Sequence, residues 1–513
     1  MVSRKKALLA YSMGTGKTPI TISVIEHLID TRVITQPGIV VCLSVLKYQW
    51  ADAIEKFTGG TSKSLVIDGS PKQKVLQYEQ ARDWRNTDID YVIMNYEQVV
   101  GDWKTVRTLP RGFVVIDEAS ALRSFRAQRS RRIKQLTSRI VYALTGTPIE
   151  NGRPEEIFSL MEAVDPAVLG RFDLFDRTFI VRNDFGGVQR YRNLPLLHKT
   201  LAPVMARKRQ TDPDVAPYLP RVLPADPEDR KILVDLDPAG LALYKLIAAE
   251  LLADLKDARD LFGGSFSLES HYGIQAATSG PGDEIRGRLM SKVGALRMLC
   301  DSPELLRISA AKLAAYTGGS QYAWGLSERG LLDKVKKAPK LDALVSYVTA
   351  QIETDPAAKL VVFTQYREMV QIIRDALKRF GSMPYSGAMN TRQKETAKQE
   401  FQTSPDVRLL VSTDAGGYGV DLPQAQILLN FDLPWASGTA VQRDSRIIRA
   451  SSVHESVYLR DLIIRHSVEE RQWSALQAKS ALAAAVVDGK GANARGGIDL
   501  TIETLTGFLT RTD

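Results

Sequence analysis

The stretch Ala7–Ile20, ALLAYSMGTGKTPI, constrains this chain more than any other part of it. KALLAY reads as a short buried strand. KTPITISVIEHLID reads as the helix after it, because Ile20, Ile22, Ile25, Leu28 and Ile29 recur at helical spacing and Pro19 is tolerated in a first turn. A strand, a glycine loop, Lys-Thr and a helix are the parts of a phosphate cradle. Gly14, Thr15 and Gly16 let backbone N–H groups approach an anion, and the helix N-terminus adds its positive end. Lys17 then reaches the outer phosphates and Thr18 holds Mg²⁺. Tyr11 stands where the general pattern has glycine, and a chance glycine turn is the alternative for the loop taken alone.

A second signal comes in the correct order along the chain. GFVVIDEAS places a buried strand, Val114 to Ile116, directly before Asp117 and Glu118. Such a pair can favour a helix N-terminus and do nothing more. Downstream of a Lys-Thr loop, it reads as metal holder (Asp117) and as the carboxylate that orients or deprotonates water (Glu118). ALTGTPIENG follows a third apolar run, IVYAL, so Thr145, Gly146 and Thr147 also sit at a strand end, with hydroxyls beside the nucleotide edge.

These motifs, MGTGKT, DEAS and LTGTPIEN, resemble the superfamily-2 helicases, in particular the SWI/SNF-like branch of double-stranded DNA translocases. The resemblance runs nearly end to end. VVCLSVLKYQW is similar to the family's strand and loop that grip one DNA strand, which implies DNA contact by Ser44 and Lys47 and ends at Trp50. YVIMNYEQV resembles the segment carrying a Tyr-Glu pair, here Tyr96 and Glu97, which implies DNA contact by Tyr96. APVMARKRQTDPDVAPYLP resembles the basic stretch leaving the first lobe, ALRMLCDSPELL the helix and proline turn after it, and KAPKLDALVSYV the entry to the second lobe. The resemblance implies an α/β protein with two RecA-like parallel-sheet lobes and a mostly helical insertion between them. It implies ATP and Mg²⁺ as cofactors, double-stranded DNA gripped through its backbone irrespective of sequence, and ATP hydrolysis coupled to movement. A nucleotide-gated DNA clamp with little turnover and an RNA-directed helicase of the same superfamily are the alternatives.

The second lobe repeats the strand–helix alternation. KLVVF, VRLLVSTDAGGYGVDL, ILLNFDLPW and SVYLRDLII read as strands of a parallel sheet, with MVQIIRDALKRF as a helix. In VQRDSRIIRA, Gln442, Arg446 and Arg449 sit at the family's spacing. The two arginines, three apart, are expected on one helical face, as a solvated basic surface or as guanidinium groups turned to the γ-phosphate. Ser412, Thr413, Gly416 and Gly417 resemble a turn that meets DNA phosphate through backbone N–H groups. In the first lobe, Arg123, Arg126, Arg129 and Arg132 are spaced by three, with Arg131 and Lys134 alongside; a solvated helix face and a phosphate-contacting face both fit.

The 513 residues are too many for one core. The expected layout is lobe 1 over 1–209, including a protrusion at RFDLFDRTFI; a helical insertion and linker over 210–337; lobe 2 over 338–488; and a linker with a short amphipathic helix over 489–513. FGGSFS and TSGPGDE read as loops. Two cysteines exclude a disulfide scaffold, and the five histidines have no ligand spacing. No apolar run reaches bilayer length. A net charge of +9 mildly favours a polyanionic partner. The family commonly has Asp-Glu where Tyr11 and Ser12 stand, His at Ser120, and Gly-Gln at Ala450 and Ser451. Its members usually carry an adenine-reading glutamine ahead of the phosphate loop, so the base is expected to be read otherwise or by a preceding segment. The compact layout points to a bacterial or bacteriophage source and a cytoplasmic location.

Overall fold

The computed structural model describes residues 3–125, 127–182, 188–262, 281–417 and 420–490. The chain divides into two compact units: 1–181 with 188–219 and 479–496, and 182–187 with 220–478 and 497–513.

The first unit is built on strands Lys6–Tyr11 (β1), Gly38–Cys42 (β2), Lys63–Val66 (β3), Ile89–Asn95 (β4), Val114–Ile116 (β5) and Val141–Leu144 (β6). Ile180–Arg182 (β7) and Val188–Tyr191 (β8) form a separate two-stranded sheet, and Met205–Lys208 (β9) joins the main one. The seven-stranded order is β3-β4-β2-β5-β6-β1-β9, and every pairing is parallel. Parallel strands need cover on both faces, and the packing provides it. Leu8, Ala10, Ile39 and Val41 enter one apolar core, while Ala7, Leu9, Val40 and Cys42 enter another. Successive side chains point to opposite faces, so the two cores lie on either side of the sheet. The chain returns late to this unit: Leu482, Ala485 and Val486, from the end of helix Val468–Val487, are buried in the first of those cores.

The second unit holds Arg221–Leu223 (β10), Lys231–Val234 (β11), Leu360–Thr364 (β12), Ser382–Tyr385 (β13), Leu409–Thr413 (β14), Ile427–Asn430 (β15) and Ser456–Ile464 (β16). Their order is β10-β16-β15-β12-β14-β13, with β11 also on β16, again all parallel. The stretch expected to be a helical insertion therefore also feeds this sheet. The nine-residue β16 is long enough to pair with β10 through Ser456–Tyr458 and with β11 through Asp461–Ile464. Helices Pro238–Phe262 and Pro281–Asp301 carry the rest of that stretch's core. Pro281 opens a helix where TSGPGDE was expected to be a loop, because proline suits a first turn. Most of FGGSFS and the C-terminal linker and helix lie outside the described residues. Among the described residues, no helix is long and apolar enough to cross a membrane.

Candidate nucleotide site on the first sheet

β1 ends at Tyr11, and helix Lys17–Asp30 begins after residues 12–16, both within the boundaries the sequence predicts. The turn between them depends on Gly14 (φ 78°) and Gly16 (φ 80°), a left-handed conformation open to glycine at little cost. Gly16 is the N-cap and brings no side chain to satisfy the first-turn N–H groups. Those donors face the loop, with the positive end of the helix dipole behind them. Thr15 Oγ1 donates to Ser12 O (2.7 Å), closing the turn. Lys17 Nζ folds back to the carbonyl oxygens of Tyr11 (3.1 Å) and Ser12 (3.3 Å), placing a cation over the loop. Thr18 is half-buried beside it.

The third motif packs directly on this turn. Thr145 N donates to Leu9 O (3.1 Å), and a Cβ on Gly146 would lie 3.1 Å from Met13 Cγ. Thr147 N donates to Thr145 Oγ1 (3.1 Å), and the buried Thr147 Oγ1 has no hydrogen-bond partner among the described residues. Thr145, Gly146 and Thr147 thus form a second layer against the loop that carries Gly14 to Thr18.

β5 delivers the acidic pair. Asp117 N is held by Val41 O (2.8 Å) of the neighbouring strand. Asp117 is 6% exposed, with Oδ1 accepting from Glu118 N (2.9 Å) and Oδ2 from Trp50 Nε1 (2.8 Å). Burial, and then the charge of Glu118, pushes the Asp117 carboxyl up to about 6; the Trp50 donor and the Lys17 charge oppose that rise. Glu118 adopts φ 47°, a left-handed backbone that costs a non-glycine residue ~1–3 kcal/mol. Its Oε2 is buried with no hydrogen-bond partner among the described residues. Two adjacent carboxylates, one oxygen of them unsatisfied, with the Lys17 charge close enough to act on Asp117, make a hard-oxygen donor set that fits a magnesium ion. Among the described residues no cluster of three or more His, Cys, Asp or Glu side chains forms a metal cage of its own.

Two residues expected on DNA are built into the interior instead. Lys47 is 3% exposed, and its Nζ reaches Ile67 O (2.9 Å) and Asp68 Oδ1 (3.0 Å), so its charge is used inside the fold. Tyr96 is fully buried; its hydroxyl donates to Asp117 O (2.6 Å) and Glu118 O (3.3 Å), which anchors the acidic loop. Ser44 is exposed, as a nucleic-acid contact requires. The basic run is not one helical face. A 3₁₀ turn, Ala119–Leu122, and a helix, Gln128–Lys134, divide it. Arg123 pairs with the buried Glu150, Arg129 with Glu97 (2.7 Å) while lying over the Tyr96 ring, and Arg132 lies over Trp103. Arg126 lies outside the described residues.

In the second unit the helix of VQRDSRIIRA spans only Ser437–Asp444. Gln442 is on it and buried; Arg446 and Arg449 follow in the turn beyond, so they do not share a helical face. Arg446 is buried, with Nη1 near Val420 O (3.4 Å), and Arg449 pairs with Asp421 (2.7 Å). The hydroxyls of Ser412 and Thr413 are turned inward, to Tyr385 O (3.0 Å) and to Gly416 N (3.3 Å). Any phosphate contact there must therefore use backbone. A Cβ on Gly416 would sit 2.2 Å from Tyr385 O, so only glycine fits; Gly417 ends the short helix Asp414–Gly417. Sequence reasoning passed over Arg443, which is 2% exposed and joins Asp414 (2.5 Å) to the Asp432 carbonyl (2.6 Å). It passed over Glu150 as well, and treated Trp50 only as a landmark.

Comparison with known proteins follows the same lines. Residues 1–305 match the SNF2-related domain, and residues 339–451 match the helicase conserved C-terminal domain. The DNA repair and recombination protein RAD54B of Mus musculus is 23% identical over 523 residues, covering 95% of this chain and 54% of that protein. The RAD54-like protein of Homo sapiens is 24% identical over 508 residues, covering 94% and 63%. The chain spans about half the length of the curated relatives it matches. Among solved structures, the Hef helicase domain of Pyrococcus furiosus aligns with TM-score 0.52 at 16% identity, covering 93% of this chain and 96% of that one, which speaks for the fold alone.

Proposed function

This chain belongs to the SNF2-related family, and on that premise we propose that it is an ATP-hydrolysing motor acting on double-stranded DNA through backbone contacts, irrespective of sequence. The observation that carries the reading is the meeting of the Lys17 loop with the Asp117–Glu118 pair, in which Glu118 Oε2 is buried and unsatisfied. Backbone N–H groups from Gly14 to Thr18 bind the phosphate chain, and Lys17 leaves its carbonyl partners to meet the outer phosphate oxygens. Thr18 and Asp117 would hold a magnesium ion, which when bound would offset the charge of the phosphate oxygens. Glu118 Oε2 orients the attacking water and accepts its proton. Thr145 to Thr147 stiffen the loop from behind. Arg446, Arg449 and Gln442 are assigned to the γ-phosphate on the family resemblance alone.

RAD54B and the RAD54-like proteins are named for DNA repair and recombination, and duplex DNA as partner here is drawn from that kinship. The test is phosphate release with and without duplex DNA. Wild-type turnover rises with DNA, and Lys17→Ala removes it in both conditions. Equal wild-type turnover with and without DNA would defeat the motor reading.

A further inference from the structure

We propose that Trp50 is the positioning residue that sets the Asp117 carboxylate for a divalent cation. The inference rests on the nucleotide-site reading above and deepens it. Trp50 Nε1 donates to Asp117 Oδ2 at 2.8 Å, and Glu118 N donates to Oδ1 at 2.9 Å, so each carboxylate oxygen has one donor. A carboxylate held at both oxygens cannot rotate about its last torsion without breaking a bond. Each oxygen still keeps a lone pair, so a cation or its bound water can be met without displacing either donor.

The placement is costly to form by chance. Trp50 is 2% exposed and packs in the core with Ile54, Val40, Cys42 and Tyr91. An indole N–H buried there needs an acceptor. Here that acceptor is the carboxylate just beyond the end of β5. Trp50 lies on helix Lys47–Thr58, whose start is fixed by the buried Lys47 bonding to Ile67 O and Asp68. Tyr96 fixes the backbone of the same acidic loop through Asp117 O. The carboxylate is thus oriented by a side chain from one neighbouring element while its backbone is pinned by a side chain from another. Groups that orient a metal ligand in this way typically contribute about 10–100-fold to metal affinity.

The experiment uses the full chain with Mn(II) and ADP as probes, reading free Mn(II) by electron paramagnetic resonance. ADP affinity in EDTA and urea stability are measured in parallel. Trp50→Phe keeps the ring and removes the N–H; it is expected to weaken Mn(II) binding to the ADP complex about tenfold while metal-free ADP affinity stays at the wild-type value. Ile54→Val, a change in the same core without a donor, serves as the stability control and keeps wild-type Mn(II) affinity. Trp50→Phe binding Mn(II) as the wild type does overturns the role of Trp50 and leaves the nucleotide reading intact. The same holds if Ile54→Val loses as much Mn(II) affinity as Trp50→Phe, since the effect is then one of packing. A wild-type chain that binds no Mn(II) with ADP overturns the nucleotide reading itself, and this role with it.

Discussion

Asp117 carries two opposed demands. It must be ionised to hold a cation, yet burial and the adjacent Glu118 push its carboxyl up to about 6. Without a cation, the proton is therefore the competitor for this site. A carboxyl raised above its ordinary range binds its proton more tightly in the folded chain, so metal affinity is full well above that value and falls as pH drops through it. Between about pH 7 and about pH 5, Mn(II) affinity of the ADP complex should fall about tenfold, once the pH dependence of Mn(II) binding to free ADP is subtracted. A carboxyl titrating in its usual range would give a nearly flat profile over that interval, and such a result would show that burial and Glu118 do not raise Asp117. At this scale the sequence was informative about residue type and order and silent about environment. Lys17, Asp117 and Glu118 stand where their motifs put them. Lys47 and Tyr96 do not, because nothing in a lysine or a tyrosine announces that Asp68 or the Asp117 carbonyl waits inside to receive it.

Among elements, the legible ones are apolar runs that end in glycine or an acidic pair. β1, helix Lys17–Asp30, β5 and β16 appear with the predicted boundaries. Pairing over long sequence distance was not legible: β10 and β11 join β16 more than two hundred residues later, and at three and four residues neither is long enough to declare itself. A buried ion cluster escaped for the same reason. Lys340, near the start of helix Pro339–Thr354, is fully buried, with Nζ 2.8 Å from Asp301 and 2.5 Å from Glu469. Three helix ends therefore meet at one ammonium group, and its charge answers two carboxylates that have no access to water. Lys340→Met removes the cation and leaves both acids buried, which should cost about 3–5 kcal/mol of stability in the second unit. Urea denaturation followed by a probe in that unit measures it. A loss under about 1 kcal/mol would mean the cluster is not structurally coupled as its geometry indicates.

For the whole molecule, the question is where a net charge of +9 is placed. Total charge gives a protein long-range attraction to a polyanion, but only cations that displace condensed counterions contribute to the salt dependence of DNA binding. The basic run after the acidic loop is the obvious candidate from sequence, since four arginines recur at every third residue. The fold gives three of these side chains other work: Arg123 is matched to Glu150, Arg129 to Glu97 and Arg132 to the face of Trp103. Arg129 has to leave Glu97 and the Tyr96 ring, and Arg132 the Trp103 ring, before either can take a phosphate, which offsets part of the gain. Replacing Arg129 and Arg132 together by alanine should therefore change the slope of log K against log salt by less than about 0.9, the contribution of one phosphate contact. Duplex binding measured from low to moderate salt supplies the slope. A decrease near 1.8, two contacts' worth, would show that DNA pulls both arginines from their partners and that the run is a phosphate-binding face after all.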